Sequence, residues 1–288
     1  MSIKEYLQQE LQPLTVRIYL YEINKYKLLN TNADNYDYQR VMQYVEQLRK
    51  IYAPQSISRV VASLKKYYNY LIEIGKRKDN PAQAIKLRLS RTEAIQLQDL
   101  LTPNELQTLL KPRIERYPFL AKRNQVIMSL LVNQALKLSE IVQLKIEDIN
   151  LEKAQINITG TAKTNKRILP LKAEQIILLY HYIKEDRDKL ITFRTKGTCL
   201  LLSKIGEPFT KAGIESLVMS YQTTFFTTKS LTVTTIRQSV ITNLLAKNND
   251  LRIVQEFAGH KSLDTTEKYK ETGLHELKTA IEKLHPIK

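Results

Sequence analysis

The sequence predicts a mainly α-helical protein with a small β-hairpin, divided into two positively charged lobes. Three observations predict it. Only seven glycines occur in 288 residues, too few for a turn-rich β protein. Apolar residues recur at spacings of three and four over most of the chain. One stretch, Ala154 to Leu171, alternates instead at period two on either side of a basic turn. The length suits two domains and is enough to bury a core without covalent staples.

The first 90 residues read as helices. Leu14, Ile18, Ile23 and Tyr26 fall roughly on one helical face. From Ser56, a good N-cap, Ile57, Val60, Val61, Leu64, Tyr67, Tyr68 and Leu71 repeat at helical spacing. Gly75 can end that helix. Aromatics this regular read as core. Arg59, Lys65 and Lys66 lie among them, either as a solvated basic face or as phosphate contacts. At Asp79-Asn80-Pro81 the pattern breaks, because a residue before proline resists the α conformation. Ala82–Leu97 is charged and of mixed pattern. The expected division is a helical domain at 1–88, a linker at 89–100 and a larger domain at 101–288.

Thr102, Pro103 and Glu105 form an N-cap, a first helical position and a capping-box partner, a strong start for the second domain. Ala154–Thr159 and Arg167–Leu171 form the hairpin, with Lys163, Lys166 and Arg167 at its turn. A short strand is expected at Cys199–Ser203. After Thr232 helices resume, and Asp264 with Glu267 makes a capping pair for a short helix carrying Tyr269. Beyond it Leu274, Leu277, Ile281 and Leu284 share one face.

The net charge is +16, with +7 in residues 1–90 and +9 in the rest. A surplus shared by both lobes points first to a polyanion such as nucleic acid, the alternative being a merely lysine-rich surface. One cysteine, Cys199, excludes an internal disulfide and fits a reducing, cytoplasmic setting. No apolar run approaches the ~20 residues of a membrane span, and the polar start does not read as a signal peptide. Neither GxxxxGK[ST] nor GxGxxG occurs, so nucleotide-driven and dinucleotide chemistry lack support. His181, His260, His275 and His285 show no metal-ligand spacing. No metal or cofactor is expected.

Three residues near the end stand out. Arg237 sits in TVTTIRQSVITNLL, His260 follows 23 positions later in QEFAGHKS, and Tyr269 nine after that in LDTTEKYKE. Singly, each has a bland reading as a surface charge, a turn residue and a structural tyrosine. Together, Ile236-Arg237-Gln238, Phe257-Ala258-Gly259-His260 and Thr265-Thr266-Glu267-Lys268-Tyr269 resemble the tyrosine recombinase (phage integrase) family. Upstream, Gln134–Ile149 is similar to the family's GLRxSELxxLxxxDI box. ITGTAKTNKRILPL resembles its lysine-bearing hairpin, and the N-terminal helices resemble its core-binding domain in an Xer-like layout.

The resemblance implies a C-shaped clamp on double-stranded DNA and assembly to a tetramer on paired sites. It also implies site-specific cleavage and rejoining through a 3′-phosphotyrosyl intermediate, which conserves bond energy and needs neither ATP nor metal. Tyr269 would attack and Arg237 would be half of a cationic cradle. His260 would help bind the phosphate, Lys163, chosen over Lys166, would protonate the leaving 5′-oxygen, and Glu140 would orient its neighbours. Two positions depart from the pattern. Lys137 stands where the family has its first arginine, and Thr234 where it has a histidine. A lysine offers a point charge instead of a planar fork, and threonine cannot shuttle a proton near neutral pH. The alternative implied is a recombinase-fold DNA-binding protein impaired in cleavage. The C-terminal leucine face would dock on a neighbouring protomer or fold onto its own core.

Overall fold

A capping box opens the first helix. Ser2 accepts from the Glu5 amide while the Glu5 carboxylate accepts from the Ser2 amide. The computed structural model describes residues 1–87, 99–161, 163–192, 195, 197–225 and 229–270. The chain divides into two compact units, Met1–Glu93 and Ala94–Lys288. Residues 88–98 and the C-terminal face of Leu274, Leu277, Ile281 and Leu284 lie outside the described residues.

The first unit is built from α1 (Ile3–Glu10), α2 (Pro13–Leu29), α3 (Tyr38–Arg49) and α4 (Pro54–Glu73). The periodic residues of α4 are all buried, from Ile57 to Leu71. The helix starts two residues before the expected cap. Pro54 takes the first position, where its missing N–H is not needed and its fixed φ is already helical, so Ser56 lies inside the first turn. Gly75 ends the helix region in the left-handed conformation at φ +73°. On α2 the buried face is Val16, Glu22, Ile23 and Tyr26, and Leu14 points to solvent at 65% exposure. Of the basic residues on α4, Arg59 pairs with Glu22 at 3.1 Å and Lys66 pairs with Glu10. The core is dominated by tyrosines. Tyr26 and Tyr68 share a hydroxyl–hydroxyl bond of 2.8 Å, Tyr68 donates to the Ala33 carbonyl at 2.7 Å, and Tyr67 donates to Asp34.

The second unit begins at α5 (Pro103–Thr108), where Thr102 and Glu105 form the expected capping box. Its central helix is α6 (Ala121–Gln134), buried along nearly its whole length and ended by Ala135 at φ +49°. A short α7 (Leu138–Gln143) leads to a three-stranded antiparallel sheet in the order β1-β2-β3: β1 (Ile149–Asn150), β2 (Gln155–Ile158) and β3 (Arg167–Pro170). β2 and β3 are the expected hairpin, in register Ile158 to Arg167 and Gln155 to Pro170. Their inner face is Ile156, Ile158, Arg167 and Leu169. The helices α8 (Ala173–His181) and α9 (Arg187–Leu190) follow, joined by a π-helical turn. Cys199–Ser203 makes isolated bridges, Lys145 to Cys199 and Leu202 to Pro208, in place of the expected strand. Its backbone pairs one residue at a time with loop segments.

The described part of the second unit closes with α10 (Lys211–Phe225), α11 (Val233–Ala246) and α12 (Leu251–Ala258), then a helix over 263–270. That last helix begins one residue before Asp264, which therefore lies in its first turn and is not its cap. No helix among the described residues is long and apolar enough to cross a membrane.

Candidate active site

Arg237 is placed by α11, on the same buried side as Val233, Ile236 and Val240. Its guanidinium donates to the carbonyls of Ala135 and Ala258, the latter at 2.6 Å. Both carbonyls belong to helix C-termini, those of α6 and α12. Carbonyls there lack intrahelical partners and carry the negative end of the helix dipole. A buried cation satisfies them, and a planar fork can reach two at once. Arg237 also donates from Nη2 to His260 Nε2 at 3.1 Å. Three of the five donors that an arginine owns are thus spent on the protein. Burial brings the Arg237 pKa down to about 10, so the group stays charged at neutral pH.

Gly259, at φ +66°, ends α12 and turns the chain so that His260 faces back toward α11. The His260 amide donates to the Gln255 carbonyl, and Gln255 Nε2 donates to the His260 carbonyl at 3.1 Å. The ring is 3% exposed. Because Arg237 can only donate, Nε2 must accept. The proton is then on Nδ1, which lies 2.9 Å from Thr266 Oγ1 and donates to it. Burial, then the charges of Arg237, Lys137 and Arg167, push His260 down to about 4. The imidazole is therefore neutral at pH 7.

Tyr269, on the helix over 263–270, stacks on that ring at 5.8 Å between centroids and 14° between planes. Burial raises its pKa, against a lowering pull from Arg237. The phenol is protonated at neutral pH and needs a proton acceptor before it can attack.

Lys137 is the residue before α7 and is half-buried. Burial and then Arg237 lower its pKa, with Glu140 opposing. Glu140 is fully buried. It accepts from Arg167 Nη1 at 2.8 Å and Nη2 at 3.0 Å, and from the Lys137 amide at 2.8 Å. Burial alone would raise its pKa, but the bonds from Arg167 overcome that and hold it below the ordinary value.

Lys163 stands exposed on the hairpin turn, with its amide donating to Thr161 Oγ1 at 3.2 Å. It is among the cations that depress Lys137. The turn is hooked onto the end of α12: Asn165 N–H donates to the Gly259 carbonyl at 3.0 Å, and Thr164 bridges to His260. Lys137, Thr234, Arg237 and Tyr269 line one cleft of about 650 Å³, with Lys211 and Glu215 of α10 on its wall. A second cavity, of about 320 Å³, lies along another face of α11 and has an apolar floor of Leu106, Val240, Val254 and Phe257.

The structure thus brings Lys137, Arg237, His260 and Tyr269 together. Glu140 lies behind Lys137, Thr234 at the cleft, and Lys163 on the adjoining turn. Two residues of the site escape a reading of the sequence alone. Arg167 reads there only as part of a basic turn, although its alternation with Leu169 already places it on the buried face of β3. Thr266 carries no signal beyond its place in the motif.

A family model described as the phage integrase family matches residues 99–273. The tyrosine recombinase XerC of Lacticaseibacillus casei is 30% identical over 298 residues, spanning 99% of this chain and 97% of the relative. The tyrosine recombinase XerD of Listeria monocytogenes is 30% identical over 81% of this chain and 77% of its own length. Among solved structures, XerH site-specific recombinase bound to palindromic difH substrate, a post-cleavage complex, is similar with a TM-score of 0.76 and 22% identity over 93% of this chain and 79% of that one. A lambda integrase dimer bound to a COC′ core site has a TM-score of 0.70 and 15% identity over 94% of this chain and 75% of that one. These two likenesses show the fold. With the family model covering more than half of the chain and XerC aligned end to end, the chain belongs to the phage integrase family and is a tyrosine-type site-specific DNA recombinase.

Proposed function

We propose that Tyr269 cleaves one strand of duplex DNA, forming a bond from its oxygen to phosphorus as the bond from phosphorus to the 5′-oxygen breaks. The phenolic proton passes to solvent water, and Lys163 delivers a proton to the departing 5′-oxygen. Arg237 keeps two N–H donors without a protein partner among the described residues, and these fit a non-bridging phosphate oxygen. Lys137 adds a second charge. An arriving phosphate raises the pKa of both His260 and Lys137, because an opposite charge favours the protonated form. To donate to the phosphate from Nε2, protonated His260 gives up the hydrogen bond it accepts from Arg237 Nη2, and that N–H turns to the phosphate as well. Rejoining is the reverse reaction, with the hydroxyl of another strand as nucleophile. The observation that carries this reading is the unbroken contact from Arg237 through His260 to Tyr269.

The positive surplus in both halves of the sequence supports DNA contact by each unit. Assembly of four protomers on two paired sites follows from the family's strand exchange. A second reading, DNA binding with weak or no cleavage, is favoured by Lys137 and Thr234. Losing one preorganised donor costs on the order of 10²–10³ in rate.

The test uses a nicked suicide duplex carrying a site selected by the protein from a random pool. Wild type should form a covalent complex that survives denaturation. Tyr269→Phe should bind equally and form none. Tight binding by wild type without a covalent product would favour the second reading.

A further inference from the structure

The ion pair between Arg167 and Glu140 takes no part in the steps above, yet it touches three of the segments that carry them. The two side chains are 2% and 0% exposed. Arg167 opens β3 opposite Ile158, so the strand fixes where its side chain starts. Its two terminal nitrogens meet both oxygens of Glu140, and one of those oxygens also accepts the Lys137 amide. On its other side the guanidinium lies so near Gly259 that a Cβ there would come within 2.6 Å of Nη1. Gly259 thus serves two needs, a left-handed turn and room for Arg167, and the next residue is His260.

Stability does not account for this arrangement. A buried ion pair is often no more stabilising than apolar residues of similar volume. This one also leaves Arg167 Nε buried without a hydrogen-bond partner among the described residues, a further penalty. We infer that Arg167 is a positioning residue. Through Glu140 it sets Lys137, through Gly259 it sets His260, and as the first residue of β3 it registers the Lys163 hairpin to both. The inference rests on the proposed cleavage by Tyr269 for its kinetic consequence, but not for its geometry.

The experiment compares full-length wild type, Arg167→Met and Arg167→Lys by three measurements. These are affinity for the selected duplex, the single-turnover rate constant of covalent complex formation, and the titration of His260 followed by NMR without DNA. In Arg167→Met, affinity should hold while the rate constant falls about 10²-fold, the scale of a 1 Å misplacement. Arg167→Lys should recover part of that loss, since it keeps the charge and one of two hydrogen bonds. The charges around His260 are Arg237, Lys137, Arg167 and Glu140. Without Arg167 the titration should move up from about 4. A rate constant at the wild-type value with only a reduced amplitude would mean a merely structural role and overturn the inference. So would equal losses of rate and affinity. If Arg167→Met does not fold, Arg167→Lys carries the same comparison. If wild type itself forms no covalent complex, cleavage by Tyr269 fails, and the His260 titration in Arg167→Lys, which keeps the charge but not the fork, decides: a value equal to wild type in the folded variant overturns the positioning role.

Discussion

Replacing Arg237 with lysine keeps the positive charge and removes the fork that spans two helix ends. The carbonyls of Ala135 and Ala258 come from separate helices and are met by different nitrogens, Nη1 and Nη2, and the one nitrogen of a lysine cannot occupy both positions. One buried, charge-assisted hydrogen bond then disappears, and one helix-terminal carbonyl is left without a donor. Such bonds contribute about 1.5–3 kcal/mol, and an unsatisfied buried acceptor costs about 1–3 kcal/mol. Because these overlap, a loss of about 2–4 kcal/mol is expected for the Ala94–Lys288 unit. At about 2–4 °C per kcal/mol for a unit of that size, its melting temperature should fall by roughly 5–15 °C. Calorimetry on the full chain gives the measurement, with the unfolding of the Met1–Glu93 unit as internal reference. A shift below about 2 °C, less than a single kcal/mol allows, would refute the idea that Arg237 braces the two helix ends. Arg237 would then serve the phosphate alone.

Other outcomes follow from the same site. Lys137→Arg restores the planar fork and should raise the single-turnover cleavage rate; slower cleavage than wild type would show the lysine to be an adapted catalytic group. His260 is held at about 4 when folded and returns to about 6.5 when unfolded. The unfolded chain therefore takes up its proton first as pH falls, and stability should drop between about pH 6.5 and 4, by on the order of 3 kcal/mol. His260→Gln should flatten that part of a urea-denaturation series. Removing residues 1–87 should weaken DNA binding and flatten the dependence of log affinity on log salt by about 0.9 for each phosphate that is no longer neutralised; an unchanged slope would show that the first unit neutralises no phosphate.

Much of the site is legible in the sequence because its residues sit on local signals. Thr102 and Glu105 announce a helix by their spacing alone, and the α4 stripe from Ile57 to Leu71 is a direct projection of helical period. Arg237, His260 and Tyr269 lie within one stretch of chain whose spacing is set by α11, α12 and the turn at Gly259. What stays hidden depends on contacts between distant segments. Nothing local pairs Arg167 with Glu140, 27 positions apart, or tells that Arg237 spends donors on Ala135. Periodicity puts Leu14 on the buried side of α2, whereas the buried residues are Val16, Glu22, Ile23 and Tyr26, Glu22 being held there by its ion pair with Arg59 of α4. Ser56 yields the cap to Ala53 because Pro54, with its φ already helical, starts the helix at the next residue. The Cys199–Ser203 segment is a short apolar run, Leu200 to Leu202, without alternation, so it does not say whether it finds a neighbouring strand or, as here, only loops.

The tyrosine core of the first unit has an optical and an alkaline consequence. The chain has no tryptophan, so its near-ultraviolet signal comes chiefly from tyrosine, and Tyr26, Tyr44, Tyr67 and Tyr68 are packed together with ring centroids as close as 4.8 Å. Burial drives the Tyr26 and Tyr67 hydroxyls far above their ordinary pKa and puts Tyr68 at about 12. In an unfolded chain the same hydroxyls ionise near 10. Above that pH the unfolded form sheds protons that the folded one retains, so alkali loosens the first unit while acid acts on the second through His260. Tyrosinate absorbance then rises with unfolding, and because burial also raises Tyr182, Tyr221 and Tyr269, alkali acts on the second unit as well as on the first, whereas the acid response through His260 belongs to the second.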